Sequence, residues 1–161
     1  LESMIGRGLS LLRTFTKATV VGFLSTDDFG ALKPYYIEPP DGAQRLKLSQ
    51  KLTDVVVRQA TAVWTKHELR NSRDDGALRQ FADAICIPLI EDKRAYGVIH
   101  LYRDTEQFQT PHFDFAISAG NIMSTAILRA KRAQSLTVAS TRLKQKHADF
   151  DNLIGESSAM Q

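Results

Sequence analysis

Residues 111–150 constrain the fold more than any other part of the chain. After Pro111 they contain no proline, and Gly120 is their only glycine. This composition favours one uninterrupted helix, with Thr110 as its N-cap and Pro111 as its first residue. At 1.5 Å per residue such a helix reaches about 60 Å. A helix of that length extends beyond the domain in which it begins.

The same residues carry a heptad pattern, which is typical of a coiled coil. The seam positions are Phe115, Ala119, Ile122, Ala126, Arg129, Ala133, Leu136, Ser140, Leu143, His147 and Phe150. Three of them are polar, and residues 135–141 are poor in strong helix formers, so the far half is predicted to be a weak or conditional coiled coil. Residues 126–148 also carry six basic side chains and no acidic one. Those charges would repel each other in a parallel dimer unless salt or a partner offsets them.

Upstream of this helix, the apolar periodicity predicts a helix over Ser3–Lys17 and a hairpin formed by Ala18–Ser25 and Ala31–Ile37. Pro34 makes the second of these strands an edge strand, because proline cannot donate a hydrogen bond to a neighbouring strand. Ser49 is the expected N-cap of a second helix.

The second half of the domain is predicted to form a short strand over Ala62–Thr65 and a strong hairpin from Ala84–Ile90 and Ala95–Tyr102. Between the short strand and the hairpin, residues 66–79 are dense in charge of both signs. We interpret them as a loop with room for a short helix.

The composition is that of an ordinary globular chain. With 161 residues, 43% of them hydrophobic, it suits one domain with an appendage. No apolar run approaches the roughly 20 residues that span a bilayer. Cys86 is the single cysteine, which allows no internal disulfide and fits a reducing cytoplasm, where we expect the protein. The net charge of +3 comes from the basic helix, so neither nucleic-acid nor membrane contact is expected of this chain.

The sequence contains no catalytic signature. No glycine is followed by lysine, which excludes a P-loop, and there is no Gly-x-Ser-x-Gly elbow. The four histidines are too far apart in sequence to suggest a metal site. We therefore expect no enzyme activity and no metal from these residues, and no cofactor is indicated. A site assembled only by folding stays open.

Two residues of the predicted hairpin have competing interpretations. His100 lies on the strand face shared with Tyr96 and Tyr102, and we interpret it as a core histidine ahead of a ligand contact. Cys86 is interpreted as a small core residue ahead of a reactive thiol, because apolar burial raises the pKa of a thiol.

The order of these elements resembles that of a GAF domain. Residues Ala84–Ile90 resemble the family's apolar strand ending in Pro-Leu, and Tyr96–Leu101 resemble the Gly-Val-aliphatic strand that follows it. Phe108 and Phe113-Asp114 match the usual lead into the last helix. The resemblance covers residues 5–128 and implies an α+β fold. In such a fold, helices flank a central antiparallel sheet, and here the long C-terminal helix would continue as a coiled-coil linker.

The last residues, Phe150–Gln161, resemble the opening of the AAA+ ATPase module in sigma-54-dependent transcriptional activators. Ser158 stands where that family commonly has proline. The resemblance implies a sensory domain over residues 1–128, a helical linker over 129–150 and the start of an ATPase over 151–161. It further implies a regulator that acts on sigma-54 RNA polymerase.

Several known ligand classes of GAF domains find no support in this sequence. The Asn-Lys pair of the cyclic-nucleotide subgroup is absent, and Cys86 is not placed like a bilin attachment cysteine. One cysteine also cannot reproduce the chemistry of the methionine-sulfoxide-reductase subgroup. After these exclusions, a metabolite or a gas remains as the expected ligand. The resemblance places the pocket between the sheet and residues 49–81, with Trp64, Arg79, Phe81 and His100 as its lining.

The resulting hypothesis is a small-molecule-sensing, dimerising regulatory domain that controls an adjacent AAA+ ATPase. Homodimer contacts through the terminal helices are assigned to Leu9, Leu12, Phe115, Ala119, Ile122, Ala126, Leu136 and Leu143.

Two alternatives to this hypothesis stay open. A ligand-free dimerisation or interaction module would show a filled core around Trp64 and Phe81. A small redox enzyme on the same fold would bring Asp83, Cys86 and His100 into contact.

Overall fold

A computed structural model describes residues 1–41, 47–65 and 80–159, with side chains up to residue 150. The predicted loop over 66–79 lies outside the described residues. The elements, in chain order, are α1 (Glu2–Thr16), β1 (Val20–Thr26), β2 (Leu32–Glu38), α2 (Gln50–Gln59), β3 (Val63–Trp64), β4 (Asp83–Glu91), β5 (Arg94–Arg103) and α3 (Thr110–Ala159). Each strand and helix predicted from periodicity is present. The ends of the strands and of the first helix are shifted by one or two residues, whereas the long helix ends at Ala159 and not at residue 150. The chain divides into two compact units, residues 1–125 and 126–161.

The described strands form one antiparallel sheet in the order β2-β1-β5-β4-β3. β2 lies at an edge, as Pro34 predicts, and Tyr35 is an extra residue in its pairing with β1. A two-residue turn, Asp92-Lys93, joins β4 to β5. Both of its residues have positive φ, as a type I′ turn requires.

A second bulge alters one sequence prediction. Leu89 pairs with Gly97 and Ile90 pairs with Ala95, so Tyr96 is the extra residue of β5. Its hydroxyl bonds to the carbonyl oxygen of Ser124 in α3 at 3.1 Å and to the Ser124 hydroxyl at 2.9 Å. The prediction that Tyr96 shares a face with His100 is therefore wrong, because the inserted residue reverses the alternation of side chains.

The sheet separates two helical layers. On one face lie α1 and the first part of α3, packed closely through glycines. A Cβ on Gly8 would lie 2.8 Å from the Met123 side chain, and one on Gly120 would lie 3.0 Å from Ile87. On the other face α2 covers a cluster formed by Leu24, Leu52, Val56, Ala84, Cys86, Val98 and Tyr102.

The two later helices begin differently. At α2, Ser49 Oγ accepts from the Leu52 N–H at 3.1 Å, which confirms the predicted N-cap. At α3 the predicted N-cap, Thr110, is one residue too late. The carbonyl of Gln109 already accepts from the N–H of His112, and the Gln109 N–H donates to His112 Nδ1 at 3.1 Å. This reciprocal pair fixes the start of α3 one residue earlier than the Thr-Pro dipeptide suggests.

Within the second unit, the described residues are helical and largely exposed. Large apolar side chains are among them, including Leu136, Val138, Leu143 and Phe150. Across the described ranges, no helix combines the length and the apolar character needed to cross a bilayer.

Candidate functional site

A ring of hydrogen bonds is buried between β5 and α2. The Ser49 N–H donates to the Tyr102 hydroxyl, and that oxygen contacts His100 Nδ1, each at 2.9 Å. On the other side of the imidazole, Nε2 lies 2.9 Å from Thr53 Oγ1, which donates to the Ser49 carbonyl oxygen at 2.9 Å. This buried ring of Ser49, Thr53, His100 and Tyr102 thus begins and ends on the N-cap residue of α2.

The count of donors fixes how the imidazole is protonated. A carbonyl oxygen can only accept, so the Thr53 hydroxyl donates its hydrogen to the Ser49 carbonyl oxygen. The same hydroxyl oxygen then accepts from the Nε2–H of His100. In a neutral imidazole Nδ1 then accepts from the Tyr102 hydroxyl, which itself accepts from the Ser49 N–H. Both nitrogens of the imidazole are used, as burial requires.

Burial keeps His100 and the neighbouring Cys86 uncharged. Desolvation lowers the pKa of the fully buried His100 from 6.5 to about 3. Desolvation also raises the pKa of the Cys86 thiol, whose Sγ lies 3.7 Å from His100 Nε2. A neutral, enclosed thiol beside a neutral imidazole lacks the thiolate that nucleophilic catalysis uses.

The Asp83 carboxylate joins β3, β4 and the segment that precedes α3. Its Oδ2 accepts from Trp64 Nε1 at 2.7 Å and from the Phe108 N–H at 2.8 Å, while Oδ1 accepts from the Thr65 hydroxyl at 3.2 Å. The Trp64 ring also packs against Phe113 in α3, with the ring centroids 5.5 Å apart. The start of the long helix is therefore tied to the β3 side of the sheet. This carboxylate is engaged away from Cys86, unlike in the redox-enzyme alternative.

An open cleft of about 610 Å³ lies between the β1–β2 turn and α2. Its lining includes Ala31 from the turn, Leu32 from the start of β2, and Thr53, Asp54 and Val57 from α2. Thr53 connects the cleft to the buried ring, because its hydroxyl bonds His100. In the described ranges, no group of three or more His, Cys, Asp or Glu side chains is arranged to hold a metal ion.

Solved structures with a similar architecture match most of the chain. A GAF domain/HD domain protein from Geobacter sulfurreducens has a TM-score of 0.66 at 12% identity, covering 81% of this chain and 93% of that one. The GAF domain of a two-component sensor histidine kinase from Bacillus halodurans has a TM-score of 0.66 at 14% identity, covering 83% and 97%. The GAF domain of a phosphoenolpyruvate-protein phosphotransferase from Coxiella burnetii has a TM-score of 0.64 at 15% identity, covering 83% and 86%. The chain has the GAF fold.

No family model matches the sequence, and no curated protein is similar enough to count as a relative. At the 12–15% identity of these structures, the likeness concerns the GAF fold alone. Ligand, partner and output therefore have to be argued from the residues of this chain.

Three of the four predicted ligand residues are described by the structure, and the GAF fold of this chain does not gather these three into one group. Phe81 and His100 meet at Tyr102, since the Phe81 ring stacks on the Tyr102 ring with centroids 4.9 Å apart and His100 bonds the Tyr102 hydroxyl. Trp64 lies on the opposite face of the sheet, against α3. Strand alternation explains this, because the preceding Val63 packs against the cluster under α2.

Arg79, the fourth predicted ligand residue, lies outside the described residues. Sequence reasoning assigned neither Thr53 nor Tyr102 to a site, and it considered Asp83 only in the redox-enzyme alternative. A signal for Thr53 was present, since it stands four residues after the N-cap, where a hydroxyl can reach the N-cap carbonyl. Asp83 gave no local signal, because its donors come from segments far apart in sequence.

The residues assigned to the dimer interface differ in exposure. On α1, Leu9 and Leu12 are completely buried within the chain, so their side chains are unavailable to a second copy. Its exposed apolar residues are instead Leu11 and Phe15, and the Phe15 ring stacks on Phe115 of α3 at a centroid distance of 3.9 Å.

The other assigned residues lie in α3 and belong to both units. Phe115 and Ala119 are half-buried in the first unit, as is Ala126 in the second. The side chains with most of their surface exposed are Ile122, Leu136 and Leu143.

The neutral state of His100 predicts a dependence of stability on pH. In the unfolded chain the pKa of His100 is ordinary, so between about pH 6.5 and about pH 3 the unfolded state binds a proton that the folded state does not. Stability should therefore fall as the pH drops through this window, by at most about 1.4 kcal/mol per pH unit, and be unaffected by this group above it. Urea unfolding at a series of pH values measures the slope.

The His100→Gln variant should lose this slope, whereas His147→Gln, a matched change at an exposed position, should keep it. An unchanged slope in His100→Gln, or an imidazole of His100 that titrates near its ordinary pKa by NMR, would contradict the enclosed neutral ring.

The contacts of Asp83 predict that replacing its carboxylate by an amide strongly lowers the stability of the fold. Asp83→Asn leaves only one accepting oxygen for three donors from two segments, so we expect the free energy of unfolding to fall by about 2–3 kcal/mol. Trp64 fluorescence should shift to the red as the indole loses its partner. The exposed Asp104→Asn variant serves as the control and should change stability by less than about 0.5 kcal/mol. If Asp83→Asn and Asp104→Asn changed the free energy of unfolding equally, Asp83 would not hold β3 and the segment before α3 together.

Proposed function

We propose that this chain is a cytoplasmic regulatory GAF domain that senses a small molecule, forms a parallel homodimer and controls an adjacent AAA+ ATPase of a sigma-54-dependent transcriptional regulator. The observation that carries this proposal is α3, a single helix of 50 residues. It begins at residues held by the sheet and continues to residues that resemble the opening of that ATPase. A helix of this kind suits the transfer of a conformational change from a sensory domain to an output module.

The response starts at the cleft beside α2. Thr53 lines this cleft and holds His100 Nε2 through its hydroxyl. A small molecule that engages Thr53 competes with that bond and so changes how α2 is seated on β5. The size of the response is limited by the difference between its affinities for the two arrangements.

From the buried ring the response passes to α3 through a short path of contacts. Phe81 stacks on Tyr102, and Asp83 follows Phe81 by two residues. The Asp83 carboxylate then holds Trp64 and the N–H of Phe108, which lies two residues before α3. A displacement of Tyr102 therefore reaches the start of α3 through bonded and stacked groups.

Exposed apolar side chains support a second copy of the chain as the partner. In the first unit, Leu11, Phe15 and Ile122 are at least half exposed. In the second unit, exposed Leu136 and Leu143 continue the heptad seam. A twofold dimer places the same apolar surface of each copy in one contact, which removes it from water on both.

Ile122→Glu tests the dimer, and Asn121→Glu is its control. Both positions are exposed on α3, but only Ile122 belongs to the seam. The charge at position 122 should weaken the dimer by at least about tenfold, because it becomes buried without a partner, while the charge at position 121 should have little effect. Native mass spectrometry and sedimentation across a concentration series give the dissociation constants. A wild-type monomer at micromolar concentration would overturn the dimer.

A ligand-free dimerisation module is the second candidate function. It is favoured by the filled core under α2, where His100, Tyr102 and Cys86 occupy the space under the helix and the two polar rings bond each other. The same native spectra separate the two candidates. A dimer that retains a reproducible extra mass supports sensing, and a bare dimer favours the module.

A further inference from the structure

A second cleft, of about 520 Å³, lies where α1 ends, β5 ends and α3 begins. Among the residues that line it are Lys17, Arg103, Glu106 and His112. We propose that this cleft binds a small oxyanion, the phosphate or carboxylate group of a metabolite. The inference does not rest on the regulatory function proposed above.

Lys17 brings an uncompensated positive charge to the cleft. In the described part of the chain, no carboxylate lies within ion-pair distance of its ammonium group. The residue ends α1 in the left-handed conformation, with φ of 56°, where glycine is typical and a side chain is disfavoured. Termination of α1 therefore does not explain why a lysine stands there.

Arg103 is held in one orientation before any ligand arrives. Its guanidinium donates to the Gln107 carbonyl at 2.9 Å and to Glu106 Oε2 at 2.5 Å, and it lies over the Phe108 ring. The arginine side chain is 11% exposed, while that of Glu106 is 71% exposed. An incoming oxyanion can thus replace the Glu106 carboxylate as a hydrogen-bond partner of the Arg103 guanidinium. Glu106 then moves into water, so neither charge is left buried without a partner.

His112 adds a donor to the same cleft. Its Nδ1 accepts from the Gln109 N–H, so the neutral ring carries its hydrogen on Nε2. Desolvation lowers the pKa of His112, and the charges of Arg103 and Lys17 lower it further. Glu106 is the one carboxylate among the lining residues, and Arg103 already pairs with it. With His112 neutral, the cleft has a surplus of positive charge and favours an anion.

The sequence offers a matched pair of variants for the test. Lys17→Gly removes the ammonium group and places glycine where the backbone favours it, so the fold should be kept or slightly stabilised. Lys93→Gly removes the same charge from a residue with the same left-handed backbone, φ of 65°. Lys93 lies at the opposite end of β5 from Arg103, about 30 Å away at 3.3 Å per residue.

NMR titration of the whole chain with inorganic phosphate, and separately with malonate, at constant ionic strength set with chloride, measures binding. We expect saturable shifts of the amides of Phe108, Gln109 and His112, and a rise in the pKa of His112 because the anion offsets the two cations. Lys17→Gly should weaken binding by about tenfold, as the loss of one charge-assisted hydrogen bond implies, and Lys93→Gly should leave it unchanged. Tighter binding of phosphate or of malonate identifies which oxyanion the cleft prefers.

Arg103→Lys supplies a second test, since it keeps the charge but loses the planar fork, and it should also weaken binding. Shifts that rise linearly with both anions would overturn the proposal, because they indicate no site. Equal weakening in Lys17→Gly and Lys93→Gly would also overturn it, because it indicates general attraction to a positive chain.

Discussion

A neutral imidazole between β5 and α2 is the constraint on which the α2 side of the domain depends. His100 accepts from Tyr102 and donates to Thr53, and both partners are bonded to Ser49 at the start of α2. Removal of one member leaves the others buried without a partner, which costs more than the lost hydrogen bond itself. The packing of Leu52 and Val56 against the sheet therefore relies on a histidine that carries no charge.

The Asp83 carboxylate, and not the His100 imidazole, links the two faces of the sheet. The ring of His100 and Tyr102 belongs to the α2 face, whereas Trp64 packs on α3 across the sheet. Asp83, the first residue of β4, connects them, because it follows Phe81 by two residues and binds both the indole and the segment before α3. A carboxylate that accepts several short hydrogen bonds fixes the positions of its donors relative to one another, because those bonds are strong and depend on distance and angle.

The fold was predictable from sequence to a greater extent than the site. Proline and glycine placement, strand alternation and the Ser49 cap are local signals, and they located the elements and the edge strand correctly. The site depends on residues brought together from distant segments. The face of Tyr96 was predicted wrongly because simple alternation does not reveal a bulge. The role of Asp83 arises only when β3, β4 and the segment before α3 meet.

The apolar stripe of α1 shows a related limit of sequence reasoning. Leu9 and Leu12 follow the helical repeat of a buried stripe, and a stripe does not reveal whether it is covered by the chain itself or by a second copy. Their burial within the chain leaves Leu11 and Phe15 as the exposed apolar side chains of that helix.

The edges of the sheet have a consequence for how copies of this protein associate. Among the described strands, one edge is β2, interrupted by Pro34 and a bulge, and the other is β3, only two residues long. Neither offers a long, regular row of free N–H and C=O groups to a strand from another molecule. Open-ended growth by strand addition, the route to fibrils, is thereby disfavoured. The proposed dimer uses helical surfaces instead, and a twofold contact of that kind closes on itself and gives a finite assembly.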